Sequence, residues 1–133
     1  MLDSQADIIS YGMGEHSIVE LADALDSGLD IKDITFIDGT VYKTKSLESV
    51  YDYKLLPDYT ELLEDKKRYA EKLFCTVQQY RSVSGKRLVE PYEGKVYVVQ
   101  NPPAKPLTQD EMDDVYALPY MRSYHPSYEA AGG

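Results

Sequence analysis

Ala6-Asp7-Ile8-Ile9-Ser10-Tyr11-Gly12-Met13-Gly14-Glu15-His16-Ser17-Ile18-Val19-Glu20-Leu21-Ala22-Asp23-Ala24-Leu25-Asp26-Ser27-Gly28 is the stretch on which the fold class turns. Residues 6–11 form a short strand-like run and Gly12-Met13-Gly14 a turn. Ile18, Leu21, Ala22 and Leu25 then recur at helical spacing on one face. Ser17 and Glu20 fit a capping box, and Gly28 is a stop signal. A strand that passes through a glycine turn into a helix belongs to a parallel sheet covered by helices. No second βα unit follows. The chain therefore reads as a fragment that starts in the middle of a fold.

Outward from this unit, Ile34-Thr35-Phe36-Ile37 and Thr40-Val41-Tyr42-Lys43-Thr44 flank Asp38-Gly39, which predicts a hairpin. Residues 45–57 have no clear period. Asp58 predicts the start of one long helix to about residue 80, with Glu61 completing a capping box. Its apolar face is Tyr59, Leu62, Leu63, Tyr69, Ala70, Leu73, Val77 and Tyr80, and Ser82, Ser84 and Gly85 break it. A second antiparallel pair, 87–92 and 95–100, turns at Glu93-Gly94. Pro91 cannot donate to a ladder and places its strand at a sheet edge.

Asn101-Pro102-Pro103-Ala104-Lys105-Pro106 is a stiff connector. Thr108 and Glu111 form another capping box, opening a short helix with Met112, Val115 and Tyr116 that ends at Leu118-Pro119. The tail from Tyr120 to Tyr128 has no period and needs a docking surface to be ordered. The expected class is α/β (or α+β): one βα unit, two hairpins, one long and one short helix. Residues 1–133 read as a single-domain fragment whose sections are 1–44, 45–100 and 101–133.

Composition narrows the function. The 133 residues hold 23 acidic and 14 basic side chains, a net charge of −9, and residues 1–38 carry nine carboxylates against Lys32 alone. Nucleic acid is disfavoured, because phosphate binding draws on clustered Lys and Arg. The one basic cluster, Lys66-Lys67-Arg68, lies between acids and reads as a solvated helix face. No apolar run is long enough to span a bilayer and no signal peptide opens the chain, so no membrane partner is expected. Thirteen tyrosines against two phenylalanines and no tryptophan mean that buried phenol hydroxyls will need partners. Cys75 is the only cysteine, which excludes an internal disulfide and fits a cytoplasmic setting. With His16 and His125 it lacks the number and spacing of ligands for a zinc or iron-sulfur site, so no metal residues are assigned.

Gly12-Met13-Gly14 is half of a dinucleotide fingerprint, which makes Gly12, Gly14 and Glu15 the candidate cofactor-binding residues. A plain strand-to-helix turn is the competing reading. Ser17 replaces the third glycine, and Glu15 puts a carboxylate where a phosphate would sit. Neither His16 nor His125 has a nucleophile or acid at a catalytic spacing, so no catalytic residue is assigned. Tyr120, Arg122, Tyr124, His125 and Tyr128 form a Tyr-rich, arginine-bearing cluster of the kind that marks contact surface. Cys75, mid-helix beside Phe74, reads as a small apolar residue. The proline connector is a rigid spacer or a polyproline ligand.

Several long stretches resemble one known family. Asn101-Pro102-Pro103-Ala104-Lys105-Pro106-Leu107, Asp114-Val115-Tyr116-Ala117-Leu118-Pro119-Tyr120 and Tyr124-His125-Pro126-Ser127-Tyr128-Glu129 are similar to a run in the YgiQ-type radical SAM proteins of bacteria. Leu2-Asp3-Ser4-Gln5-Ala6-Asp7, Tyr11-Gly12-Met13-Gly14-Glu15 and Asp30-Ile31-Lys32-Asp33-Ile34-Thr35 match upstream in the same order. The resemblance implies the radical SAM N-terminal region, just before a core whose cysteine triplet holds a 4Fe-4S cluster that binds S-adenosylmethionine. Those cysteines are not in this chain. The implied parent is a radical SAM enzyme, and this piece is a non-catalytic segment without cofactor, partnered by the core of its own polypeptide. Residues 6–28 would be the last βα unit of a Rossmann-type, cobalamin-binding-like domain. A cobalamin- or nucleotide-like site at Gly12–Glu15 is the alternative.

Overall fold

The computed structural model describes residues 1–80, 85–93 and 95–131. Its β-branched and aromatic runs form β1 (Ile8–Ser10), β2 (Thr40–Thr44), β3 (Tyr53–Leu55), β4 (Arg87–Tyr92) and β5 (Val96–Gln100). They make one mixed sheet in the order β1-β2-β5-β4-β3, with strands from residues 1–44 and 45–100 alike. The helices are α1 (Glu15–Asp26), α2 (Tyr59–Glu64), α3 (Lys66–Tyr80) and α4 (Gln109–Ala117), with a 3-10 turn at Pro126–Ala131. The protein is thus a mixed α/β structure.

The hairpin expected at Asp38-Gly39 does not form. β2 pairs instead with β1, antiparallel, with Ile9 opposite Val41. Residues 34–37 stay irregular because Ile34 and Ile37, three apart, are both buried with Ala24 of α1. A side chain replaces the missing ladder: the Asn101 amide donates to the carbonyls of Thr35 (3.0 Å) and Ile37 (2.9 Å). The parallel sheet inferred from the first βα unit is corrected by the same pairing. β1 is an antiparallel edge strand, and the parallel contact is between β3 and β4, with Lys54 opposite Leu88.

The second hairpin is present, with Val89 opposite Val99, although Gly94 of its turn lies outside the described residues. β4 is not an edge strand, since β3 covers it from Arg87 to Val89. Pro91 is tolerated because backbone groups alternate. Val89 accepts from the Leu56 N–H, so Pro91 faces the same side two residues on, past the end of β3.

Four helix boundaries follow local chemistry. α1 starts at Glu15, earlier than a Ser17 cap would place it, and Ser17 is buried with its hydroxyl near Gly14 O (3.2 Å) and Ser10 Oγ (3.0 Å). It ends in a Schellman motif: Gly28, at φ +90°, donates to Leu25 O, and Leu29 to Ala24 O. The single long helix is divided at Asp65 (φ −125°, ψ 101°). The Asp65 carboxylate captures the N–H groups of Lys67 and Arg68 and so caps a new helix instead of continuing the old one. Asp58 caps α2 as expected, accepting from Thr60 N at 2.8 Å, but Glu61 reaches forward to Arg68 rather than back to the cap. Ser82 and Ser84, expected to end the helix, lie outside the described residues.

Two small cores result. One face of the sheet buries Tyr42, Val89 and Val99 under Val50, and burial there raises the Tyr42 phenol pKa against the opposing pull of Arg87. The second core joins α1 to Ile34 and Ile37. α2 and α3 cover the sheet's other face: Tyr59 stacks on Tyr92 with ring centroids 6.0 Å apart, and Lys72 pairs with Glu90.

Candidate functional site

The glycine turn and the proline connector, 90 residues apart in sequence, meet at one place. Tyr11 N donates to Gly39 O, and Gly39 N donates to Pro102 O at 2.6 Å. Gly39 is required twice over: its φ is +73°, and a Cβ would sit 3.0 Å from the Ala104 Cβ. Beneath this junction lies Asn101, 1% exposed, whose amide reaches Thr35, Ile37 and Thr40 while its side-chain oxygen accepts from Arg87 Nε at 3.0 Å. Its main-chain N–H donates to Thr40 O and its carbonyl accepts from the Tyr11 hydroxyl. Each of its polar groups is thus engaged, as a buried amide demands.

Around this junction the structure places the candidate cofactor residues. Tyr11, Gly12 and Met13 face Pro103, Ala104 and Pro106 across a cavity of about 160 Å³. Gly12 takes φ +73° with open space where a Cβ would be, a left-handed conformation that the turn requires. Gly14 packs against Ser10, its imagined Cβ 3.3 Å from the hydroxyl oxygen. Glu15 is the first residue of α1, where a carboxylate offsets the positive helix end and competes with any bound anion. Its Oε2 is buried without a hydrogen-bond partner among the described residues. His16 bonds Glu111 Oε1 at 3.0 Å, tying α1 to the capping box of α4. Thr108 bonds first, then His16, hold the Glu111 carboxyl below its usual range.

Comparison with known proteins then decides the relationship. The family described as Radical SAM N-terminal matches residues 1–132. The chain belongs to the radical SAM N-terminal family. Within that family it is 47% identical over 131 residues to a UPF0313 protein of Clostridium botulinum (strain ATCC 19397 / Type A), covering 98% of this chain and 20% of that relative. A UPF0313 protein of Clostridium perfringens (strain ATCC 13124) is 46% identical over 134 residues, covering 100% of this chain and again 20% of the relative. The chain thus spans about a fifth of the length of the curated relatives it matches. No solved structure matches it.

The radical SAM name implies a thiolate-held cluster, and this chain's residues do not fit one. Cys75 is the sole thiol, and among the described residues no three of His, Cys, Asp and Glu converge as metal ligands. Cys75 instead accepts from the Lys54 ammonium at 2.9 Å.

The tail of this radical SAM N-terminal segment is laid open. Tyr120, Tyr124 and Tyr128 are more than half exposed and Met121 is 84% exposed. Polar contacts there are local: Arg122 (φ +50°) donates to Tyr116 O at 3.0 Å, and His125 Nδ1 lies 2.8 Å from Ser127 Oγ. Two features had no signal of their own in the sequence. Asn101 as the fold's junction is one, visible only as the polar residue before Pro102-Pro103. The other is a groove shared by Leu2, Tyr59 and Tyr92, with adjoining cavities of about 330 and 380 Å³. Burial, ahead of the nearby Glu90 carboxylate, raises the Tyr92 phenol pKa there.

Proposed function

We propose that this chain is a non-catalytic accessory segment of a cytoplasmic radical SAM enzyme. Through its C-terminal aromatic tail it packs on the radical SAM core of the same polypeptide and helps to shape the substrate cavity. The 4Fe-4S cluster and S-adenosylmethionine belong to that core. The observation that carries this reading is the tail itself: Tyr120, Met121, Tyr124 and Tyr128 stand exposed beside Arg122 and His125. Such aromatic and arginine side chains concentrate at buried contact surfaces. The test mixes the 133-residue chain with the separately produced core in a calorimeter. Binding heat is expected, together with its loss when Tyr120, Met121 and Tyr124 are all changed to Ser. Absence of heat with the unaltered chain, and of any change in core activity or solubility, would sink the proposal.

A second reading, a small-molecule module at Gly12, Gly14 and Glu15, draws on the Glu15 oxygen that has no partner among the described residues. A buried acceptor without a donor is costly and suits a ligand hydroxyl or amide. The adjoining cavity of about 160 Å³ is small beside the roughly 300–1,000 Å³ of ordinary ligand pockets. Titration with cobalamin or nucleotides, followed by amide shifts, separates the readings: shifts confined to residues 11–18 would favour this one.

A further inference from the structure

α3 is turned inside out. Of its described side chains, Lys72, Cys75 and Thr76 are the ones that are not exposed. At spacings of three and four they form one helix face, and that face is directed at the sheet by Lys72–Glu90 and Lys54–Cys75. The apolar stripe lies to the side, with Tyr69, Leu73, Phe74 and Val77 at 57%, 54%, 63% and 42% exposure. Amphipathic helices normally bury the apolar stripe and leave Lys and Thr to water. Here the polar contacts fix the reverse orientation.

We infer that the stripe Tyr69, Leu73, Phe74 and Val77 is a second, intramolecular interface, covered by an apolar, acid-rimmed surface from elsewhere in the same longer polypeptide. This rests on the reading that the chain works within such a polypeptide, but on a surface distinct from the tail. Three observations select that occupant. Relatives are about five times the length matched here, so covering chain exists in them. The stripe runs about 12 Å along the axis, and four half-exposed side chains of this size offer on the order of 500 Å². That is short of the roughly 800 Å² per partner buried in a free-standing complex. A tethered neighbour, present at millimolar effective concentration, needs less. Lys66 and Lys67, both exposed, stand at the stripe's N-terminal end and favour carboxylates at the partner's rim.

Hydroxyl-radical footprinting of the full-length protein, normalised for intrinsic side-chain reactivity and run over a dilution series, tests this. Tyr69, Leu73, Phe74 and Val77 are expected to be as protected as the core residues Tyr42 and Val99, at every concentration. Reactivity typical of free side chains would overturn the inference. Protection lost on dilution would overturn it too, assigning the stripe to a second copy. In a Leu73→Glu variant, protection of Tyr69, Phe74 and Val77 should be lost while Tyr42 and Val99 stay protected; unchanged protection would also count against it. The same data report on Tyr120, Met121 and Tyr124. A protected tail with an open stripe would end this inference and leave the tail interface standing, and the reverse pattern would do the opposite.

Discussion

Asn101 and α3 bury polar groups in opposite ways. At Asn101 a single amide, 1% exposed, closes hydrogen bonds to the 34–37 segment, β2 and β4, and its backbone to Tyr11. Nothing is left over for a partner. In α3 the polar face is turned inward and the apolar stripe faces out, so the helix is attached to its own sheet by a few charged and thiol contacts. The difference separates what holds this segment together from what it offers to another surface. The first region is self-sufficient and the second is incomplete.

That contrast breaks most visibly at Asn101. Asn101→Ala removes the amide donor from the Thr35 carbonyl and one of two donors from the Ile37 carbonyl, which keeps the Thr40 hydroxyl, and leaves the Arg87 guanidinium with Tyr51 O. It should cost about 2–4 kcal/mol in urea unfolding. A loss below about 1 kcal/mol would show that the junction is peripheral. Gly39→Ala comes next. It combines a positive φ with a 3.0 Å approach to Ala104, for an expected loss of about 1–3 kcal/mol. Gly12→Ala has the same φ but open space at the Cβ, and should cost less. Equal losses at the two positions would remove the steric contribution from the account.

Local chemistry was legible in the sequence and distant competition was not. The Thr108–Glu111 capping box, the Gly28 stop, the Asp58 cap and the second strand pair appear where spacing placed them. Each depends on residues a few positions apart. Asp38-Gly39 has the same local signal for a hairpin, yet β2 takes β1 as partner, 32 positions away in register. Ile34 and Ile37 are instead drawn into the core beside α1. Asp65 breaks the long helix because its carboxylate outcompetes helical continuation, a choice that the apolar period around it conceals. At the candidate site, the turn at Gly12–Glu15 was readable. Its encounter with Pro102–Pro106 was not, since nothing near Gly39 in sequence signals that a proline carbonyl will arrive there.

α4 lies between these extremes, held by a cap that a histidine extends. Thr108→Ala removes the side-chain half of the capping box and should cost about 1 kcal/mol. Its effect should be confined in hydrogen exchange to residues 109–117. Glu111 adds a pH signature. Its folded pKa lies below the ordinary glutamate value, so the carboxylate stabilises α4 above that value, and the contribution is lost as pH falls through the folded pKa. Exchange protection of α4 should therefore drop as pH falls below the ordinary glutamate pKa in the native protein and change little over that range in Glu111→Gln. Identical acid profiles for the two proteins would assign the loss to other carboxylates.

The smallest effect is expected at α3, and its size carries the comparison. Leu73 is 54% exposed whereas Leu88, on β4, is 2% exposed. Leu88→Ala should cost about 2–5 kcal/mol through lost burial and the cavity left behind. Leu73→Glu should change the stability of the 133-residue chain by no more than about 0.5 kcal/mol, as surface substitutions do, even though it places a charge in an apolar stripe. A loss approaching that of Leu88→Ala would mean that the stripe is packed by its own chain. A near-zero change in the segment, alongside lost protection of the stripe in the full-length variant, is the pairing expected of a surface built for contact outside its own fold.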